Sequence, residues 1–163
     1  MSNLSLAPAG AEFELSISRL LGAPRNQVFR AWTEPRLLAR WWGHHGMTTP
    51  VCDMQLWVGG LFRTVMRAPD GTEYPYQGVF LEIAAPERIV FTDAFSPGWI
   101  PTGKPFMTAR ITLEEAEGGT LYTASAMHWS AAERDAHEEM GFHQGWGESL
   151  DRLALLLEQG LPD

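Results

Sequence analysis

From Ala131 to Glu158 the apolar positions recur with a helical period. Ala136, Met140, His143, Gly147, Leu150, Ala154 and Leu157 follow at steps of three or four, with Arg134, Asp135, Glu138, Glu139, Glu148, Asp151 and Arg152 opposite. Roughly 28 residues rising about 1.5 Å each predict one amphipathic helix about 40 Å long. Ser130 is the expected N-cap, with Glu133 completing a capping box. Within this stretch Leu150–Leu157 reads as an anchor, and the glycine-rich Met140–Gly147 as the place for a pocket.

The preceding chain is short-period. Phe13, Leu15 and Ile17 alternate with Glu14, Ser16 and Ser18, which predicts a half-buried strand reaching about Leu20. A helix follows from about Arg25 to Thr33, with Val28, Phe29 and Trp32 on one side. Pro35 opens a second through Trp42, ended by Gly43 and Gly46. Further strands are expected at Val51–Val58, Leu61–Arg67, Glu73–Ile83, Arg88–Phe95, Met107–Leu113 and Leu121–Trp129. Gly59-Gly60, Asp70-Gly71, Ala85-Pro86-Glu87 and Gly118-Gly119 make the turns. Ser96–Pro105 holds three of the eleven prolines and reads as a loop whose Trp99 could gate a pocket. The fold class is α+β: an antiparallel meander, bent at Gly59-Gly60 and Gly78, wraps the C-terminal helix and leaves space against it. The two short helices would close one end.

Composition narrows the function. A length of 163 residues fits a single domain, taken as 12–160, with Met1–Ala11 as a disordered tail lacking the basic start and apolar run of a signal peptide. No stretch approaches the ~20 apolar residues of a membrane span. The net charge of −8 argues against nucleic acid and anionic membrane as partners, since both reward basic surfaces. The lone cysteine, Cys52, fits a reducing cytoplasm, and no basic neighbour or helix start activates it. Seven tryptophans and seven methionines suit a wide apolar interior.

The order of motifs resembles a known family. Phe29-Arg30-Ala31-Trp32-Thr33-Glu34-Pro35, Trp41-Trp42-Gly43, Val58-Gly59-Gly60, Asp70-Gly71-Thr72-Glu73-Tyr74 and Gly78-Val79-Phe80-Leu81-Glu82-Ile83 are similar to stretches of bacterial homologues of the heat-shock-protein-90 ATPase activator. Pro86–Thr92, Met140–Gly147 and Leu150-Asp151-Arg152-Leu153 continue the match. The resemblance implies the helix-grip fold of START lipid-transfer domains, aromatic polyketide cyclases and birch-pollen allergens. It also implies binding of a hydrophobic small molecule between sheet and long helix.

Candidate pocket residues follow from aromatic and methionine content: Trp41, Trp42, Met54, Phe62, Met66, Tyr76, Phe80, Phe95, Trp99, Phe106, Met127, Met140, His143, Trp146 and Gly147. Each is also an ordinary core residue by type. His143, on the apolar stripe, would be a satisfied core histidine or a hydrogen-bonding group of the pocket. His128 is similar, its side undetermined, and His137 is expected to face water. Glu82 should pair with an arginine such as Arg63 or Arg88. His44, His45, Cys52, Asp53, His128, His137 and His143 match no metal-ligand spacing, and no phosphate loop, dinucleotide fingerprint or nucleophile elbow appears, so no metal and no cofactor are expected. Binding without chemistry is the first expectation. An enzyme of cyclase, aldolase or hydrolase type using His143, Tyr76 or Asp53 is one alternative, and a chaperone-interaction module is another. A homodimer through the Phe13–Leu20 edge is left open.

Overall fold

The computed structural model describes residues 13–162; the tail expected at Met1–Ala11 lies outside them. Strand β1 (Glu14–Leu21) is followed by helices α1 (Arg25–Thr33) and α2 (Pro35–Trp41). Strands β2 (Thr48–Met54), β3 (Leu61–Arg67), β4 (Glu73–Ala84) and β5 (Arg88–Thr92) come next. A two-residue hairpin, β6 (Phe95–Ser96) and β7 (Ile100–Pro101), precedes β8 (Thr108–Ala116) and β9 (Gly119–Met127). Helices α3 (Ala131–Glu139) and α4 (Phe142–Gln159) end the chain.

Seven strands form one antiparallel sheet in the order β1-β9-β8-β5-β4-β3-β2, so the first strand returns beside the last and becomes an edge. Alternation explains which face is inward. Ala109, Ile111 and Leu113 of β8 are buried together with Tyr122, Ala124 and Ala126 of β9. The sheet bends where β4 meets β5. A Cβ on Gly78 would lie 2.1 Å from the Thr92 carbonyl oxygen, so only glycine permits this approach, and the register shifts between Phe80 and Glu82. On the same strand pair, Glu82 meets the Arg88 guanidinium through two 2.8 Å hydrogen bonds, the pairing expected for it.

Helix α4 packs on β1, α1 and α2. Leu150, Leu153 and Leu156 join Trp32, Phe91, Ile111 and Ala124 in the core. Burying each leucine contributes roughly 1.5–3 kcal/mol, which makes this end of the helix the anchor of the helix-grip arrangement. The hairpin β6–β7 occupies the segment read as a loop, and its Thr102 hydroxyl donates to the Asp93 carbonyl at 2.7 Å.

Candidate functional site

The expected 28-residue helix is two helices. Met140 caps α3, and Gly141, at φ +96°, turns the chain in the left-handed region before α4 begins. Ser130 caps α3 as expected, its hydroxyl oxygen accepting from the Glu133 N–H at 3.1 Å. The Glu133 carboxylate, however, accepts from the Ser130 hydroxyl rather than reaching the Ser130 N–H, so the capping box is half made. The break at Gly141 resets the helical phase. On α3 the buried residue is His137; on α4 they are Phe142, Gly145, Ser149, Leu150, Leu153 and Leu156.

Between this break and the sheet lies a cavity of about 360 Å³, within the size range of small-molecule sites. One wall is Phe142, Gly145 and Trp146 of α4, with Met140 at the break. A second is the chain leaving α2, where Trp42 stands edge-on to Trp146 at 5.7 Å. This segment is fastened to α4. The Ser149 hydroxyl accepts from the Gly43 N–H and donates to the Gly43 carbonyl, both at 3.0 Å. The Arg152 guanidinium donates to the carbonyls of Arg40, Trp42, Gly43 and His44 at 3.1–3.2 Å, satisfying groups that the end of α2 leaves open.

The remaining walls come from Tyr74, Pro75 and Tyr76 of β4, Met66 of β3, Phe91 of β5, and Phe106 with Met107. Asp93 fixes the last pair, its carboxylate accepting from the N–H groups of Phe106 at 2.8 Å and Met107 at 3.1 Å. Burial raises the Asp93 carboxyl above its usual range, and these two N–H groups oppose that shift.

Polar atoms in this apolar setting are few. The Tyr76 hydroxyl is buried without a hydrogen-bond partner, and so is the hydroxyl of Thr64, its cross-strand neighbour. Among the described residues these are the two buried side-chain polar atoms left unpaired. Burial, reinforced by the nearby Asp93 charge, raises the Tyr76 pKa well above the ordinary tyrosine value, so the phenol stays protonated. His137 also lines the cavity, 4.5 Å centroid to centroid from Phe106. Its Nδ1 is 2.8 Å from Nε2 of His128, whose Nδ1 is 2.8 Å from the carbonyl oxygen of Phe13. Burial, with the neighbouring His128, pushes the His137 pKa down to about 4.

Of the candidates named from sequence, the cavity brings together Trp42, Met66, Tyr76, Phe106, Met140 and Trp146. Trp41, Phe62 and Phe80 are fully buried in the core behind it. Met54 packs half-buried on that core, and Met127 sits beside the Arg110 guanidinium. Phe95 and Trp99 meet edge-on at 5.6 Å in the β6–β7 hairpin, where Trp99 covers Gly59 and lines no part of the cavity. The gate expected of Trp99 is therefore displaced.

His143 is corrected too. It is exposed, because the Gly141 turn moves it off the buried face that an unbroken helix would give it. Gly147 faces Ile17, which would stand in ordinary van der Waals contact with an added Cβ at 3.7 Å, and it lines no part of the cavity. The helix glycine that shapes the cavity is Gly145, whose Cβ would lie 2.8 Å from the His44 imidazole. His137, expected to face water, is 7% exposed. Asp53 is exposed and pairs with Arg63 at 3.3 Å, away from the cavity. The Cys52 thiol, raised to about 11 by burial and by Asp53, is not a nucleophile near neutrality.

Sequence reasoning missed Gly43, His44, Tyr74, Pro75, Phe91, Met107, His137 and Ser149 as cavity residues, while Gly141, Phe142 and Gly145 fall in the Met140–Gly147 stretch it marked for a pocket. Gly141 carried the signal that would have freed His137 from the phase of the later helix, since a glycine after a long periodic run marks a helix end.

A family model described as Activator of Hsp90 ATPase homolog 1-like protein matches residues 22–158. Among solved structures, a Nitrosomonas europaea protein is 42% identical, covering 91% of this chain and 96% of its own, with a TM-score of 0.87. A Chromobacterium violaceum protein is 28% identical over 92% of this chain and 99% of its own, at TM-score 0.74. An AHSA1 protein of Silicibacter pomeroyi, 21% identical over 90% of this chain and 98% of its own, at TM-score 0.69, shows the shared fold. No curated protein sequence matches the chain.

Proposed function

The chain belongs to the Activator of Hsp90 ATPase homolog 1-like family, and from that premise we propose that it binds a small hydrophobic or aromatic molecule between the sheet and the α3–α4 break, without transforming it. The observation that carries this reading is the Tyr76 hydroxyl, buried and unpartnered in the wall of a cavity of about 360 Å³. Leaving a buried hydroxyl unpaired costs about 1–3 kcal/mol, a cost that a ligand offering it a partner removes. The walls are otherwise aromatic and methionine side chains, which suit apolar partners of varied shape.

Binding is favoured over catalysis by the direction of both perturbed groups. A general acid–base pair working near neutrality needs pKa values brought toward 7. Here Tyr76 moves up and His137 moves down to about 4, so each is held more firmly in its neutral form. Such groups orient a ligand by hydrogen bonding.

Trp42 and Trp146, packed edge-on at 5.7 Å in the cavity wall, report its occupancy. Titrating the protein with naphthalene should quench tryptophan fluorescence saturably, and Trp146→Leu should reduce the quenched amplitude. Absence of saturable quenching, together with native mass spectrometry showing no small molecule on freshly purified protein, would sink the proposal.

A second reading has its own observation. Leu56, Trp57, Val58, Trp99 and Ile100 are all exposed, Trp57 to 60% and Ile100 to 61%. Trp99 reaches over Gly59, so the two loops form one apolar surface. This supports a protein-interaction role for that face. It predicts that a heat-shock-protein-90 chaperone cosediments with the protein and not with Trp57→Ser/Trp99→Ser; no cosedimentation counts against it.

A further inference from the structure

We infer that the cavity selects a neutral ligand carrying a hydrogen-bond donor, of the hydroxyaromatic class, and discriminates against its carboxylate counterpart, because His128 fixes His137 as an acceptor within an aromatic wall. This rests on the binding reading above and names the chemistry of its occupant.

The relay starts at the Phe13 carbonyl. A carbonyl oxygen can only accept, so the proton at 2.8 Å belongs to His128 Nδ1. A His128 ring that carries a single proton, committed at Nδ1 to Phe13, offers a lone pair at Nε2, and the 2.8 Å contact then has His137 Nδ1 as the donor. The last ring nitrogen, His137 Nε2, is left with a lone pair and makes no hydrogen bond among the described residues. Phe106 at 4.5 Å and Phe142 at 5.2 Å hold the ring on two sides. Burial keeps His137 unprotonated near neutral pH, so it stays an acceptor.

Three features turn this acceptor into selectivity. Among the described residues no lysine or arginine lines the cavity, so a carboxylate inside it finds no fixed cation. Asp93 behind Tyr76 and Glu148 beside His44 put negative charge next to the wall, and the Arg152 guanidinium at its edge is taken up by the carbonyls of Trp42, Gly43 and His44. Tyr76 supplies an unpaired hydroxyl in the wall, ready to donate to a ligand oxygen. A phenol satisfies both ends, donating to His137 and accepting from Tyr76.

Equilibrium dialysis at pH 7.5 with naphthalene, 2-naphthol and 2-naphthoate separates the possibilities. We expect 2-naphthol to bind about tenfold more tightly than naphthalene, one net hydrogen bond, and 2-naphthoate to bind more weakly than either. His137→Asn keeps a nitrogen donor near the Nδ1 position for His128 and removes Nε2. There the tenfold preference, read as the ratio of the two affinities in the same variant, should fall to about twofold or less. A preference that survives His137→Asn, or 2-naphthoate binding as tightly as 2-naphthol, overturns the inference and leaves the binding reading standing. If neither naphthalene nor 2-naphthol binds, both fall. The unmutated protein gives an independent reading through its imidazole ¹⁵N shifts. Both His128 and His137 should be Nδ1–H tautomers, with His137 Nε2 shifting on addition of 2-naphthol. An Nε2–H tautomer at His137 rejects the relay.

Discussion

Two groups of aromatic side chains meet around Trp42 and Phe62, and they differ in how their polar atoms are treated. In the core, Trp32, Trp41, Phe62 and Phe80 are each at most 1% exposed, with Phe62 stacked on Phe80 at 5.1 Å. The Trp32 N–H donates to the Tyr122 hydroxyl at 2.9 Å and the Trp41 N–H to the Ala31 carbonyl at 3.1 Å. Around the cavity, Trp42, Phe106 and Trp146 are half-buried, and the Tyr76 hydroxyl has nothing to bond. The residue types are the same on both sides. Close packing and satisfied polar groups mark the first as structure, and the open volume with unsatisfied ones marks the second as a site.

The strongest way to break this division is truncation on each side. Phe62→Ala should cost about 3–5 kcal/mol in urea unfolding, since it empties a closed part of the core. Trp146→Ala removes a larger ring from a wall that already borders open space, so its cost should be less than half of that. Equal losses would mean that the cavity wall is packed as the core is.

Part of this was legible in the chain itself. The helix at Arg25–Thr33 and the strand at Leu61–Arg67 have the bounds that their apolar period and flanking turns indicate. The α+β meander with a C-terminal helix follows from hairpin turns and one long 3.6-residue pattern. The site was less legible, for two physical reasons. A helical wheel carried through Gly141 assigns faces to both sides of a break with a single phase, which exchanged His143 for His137. And adjacent Trp41 and Trp42 look alike in sequence, although one is in the core and the other on the cavity, because the division depends on where α2 ends.

His137 gives the next largest effect. Its pKa is about 4 in the folded protein against an ordinary value of 6.5, so between those pH values the unfolded chain binds more protons. Stability must therefore fall as pH drops from 6.5 to 4, by up to about 3 kcal/mol from this group. Glu148 and Asp151, whose pKa values hydrogen bonds lower, also lose stability as the pH falls through their folded-state values. The difference between wild type and His137→Asn isolates the histidine. The gap in unfolding free energy should narrow, in favour of the variant, from pH 6.5 to 4. A gap independent of pH in that window would mean that His137 is solvated, and its place in the cavity wall would be wrong.

The smallest effect discriminates best, because it sets one hydroxyl against another. Tyr122→Phe strips the partner from the buried Trp32 N–H and should destabilise the protein by about 1–3 kcal/mol. Tyr76→Phe removes an oxygen that bonds nothing, so the ligand-free protein should be unchanged or slightly more stable, within about 0.5 kcal/mol. The two substitutions delete the same atom from the same residue type, each beside the same aromatic cluster. Their difference therefore measures polar satisfaction with packing nearly held constant. Should Tyr76→Phe cost as much as Tyr122→Phe, its hydroxyl has a structural partner, and the cavity would lose the feature that sets it apart from the core.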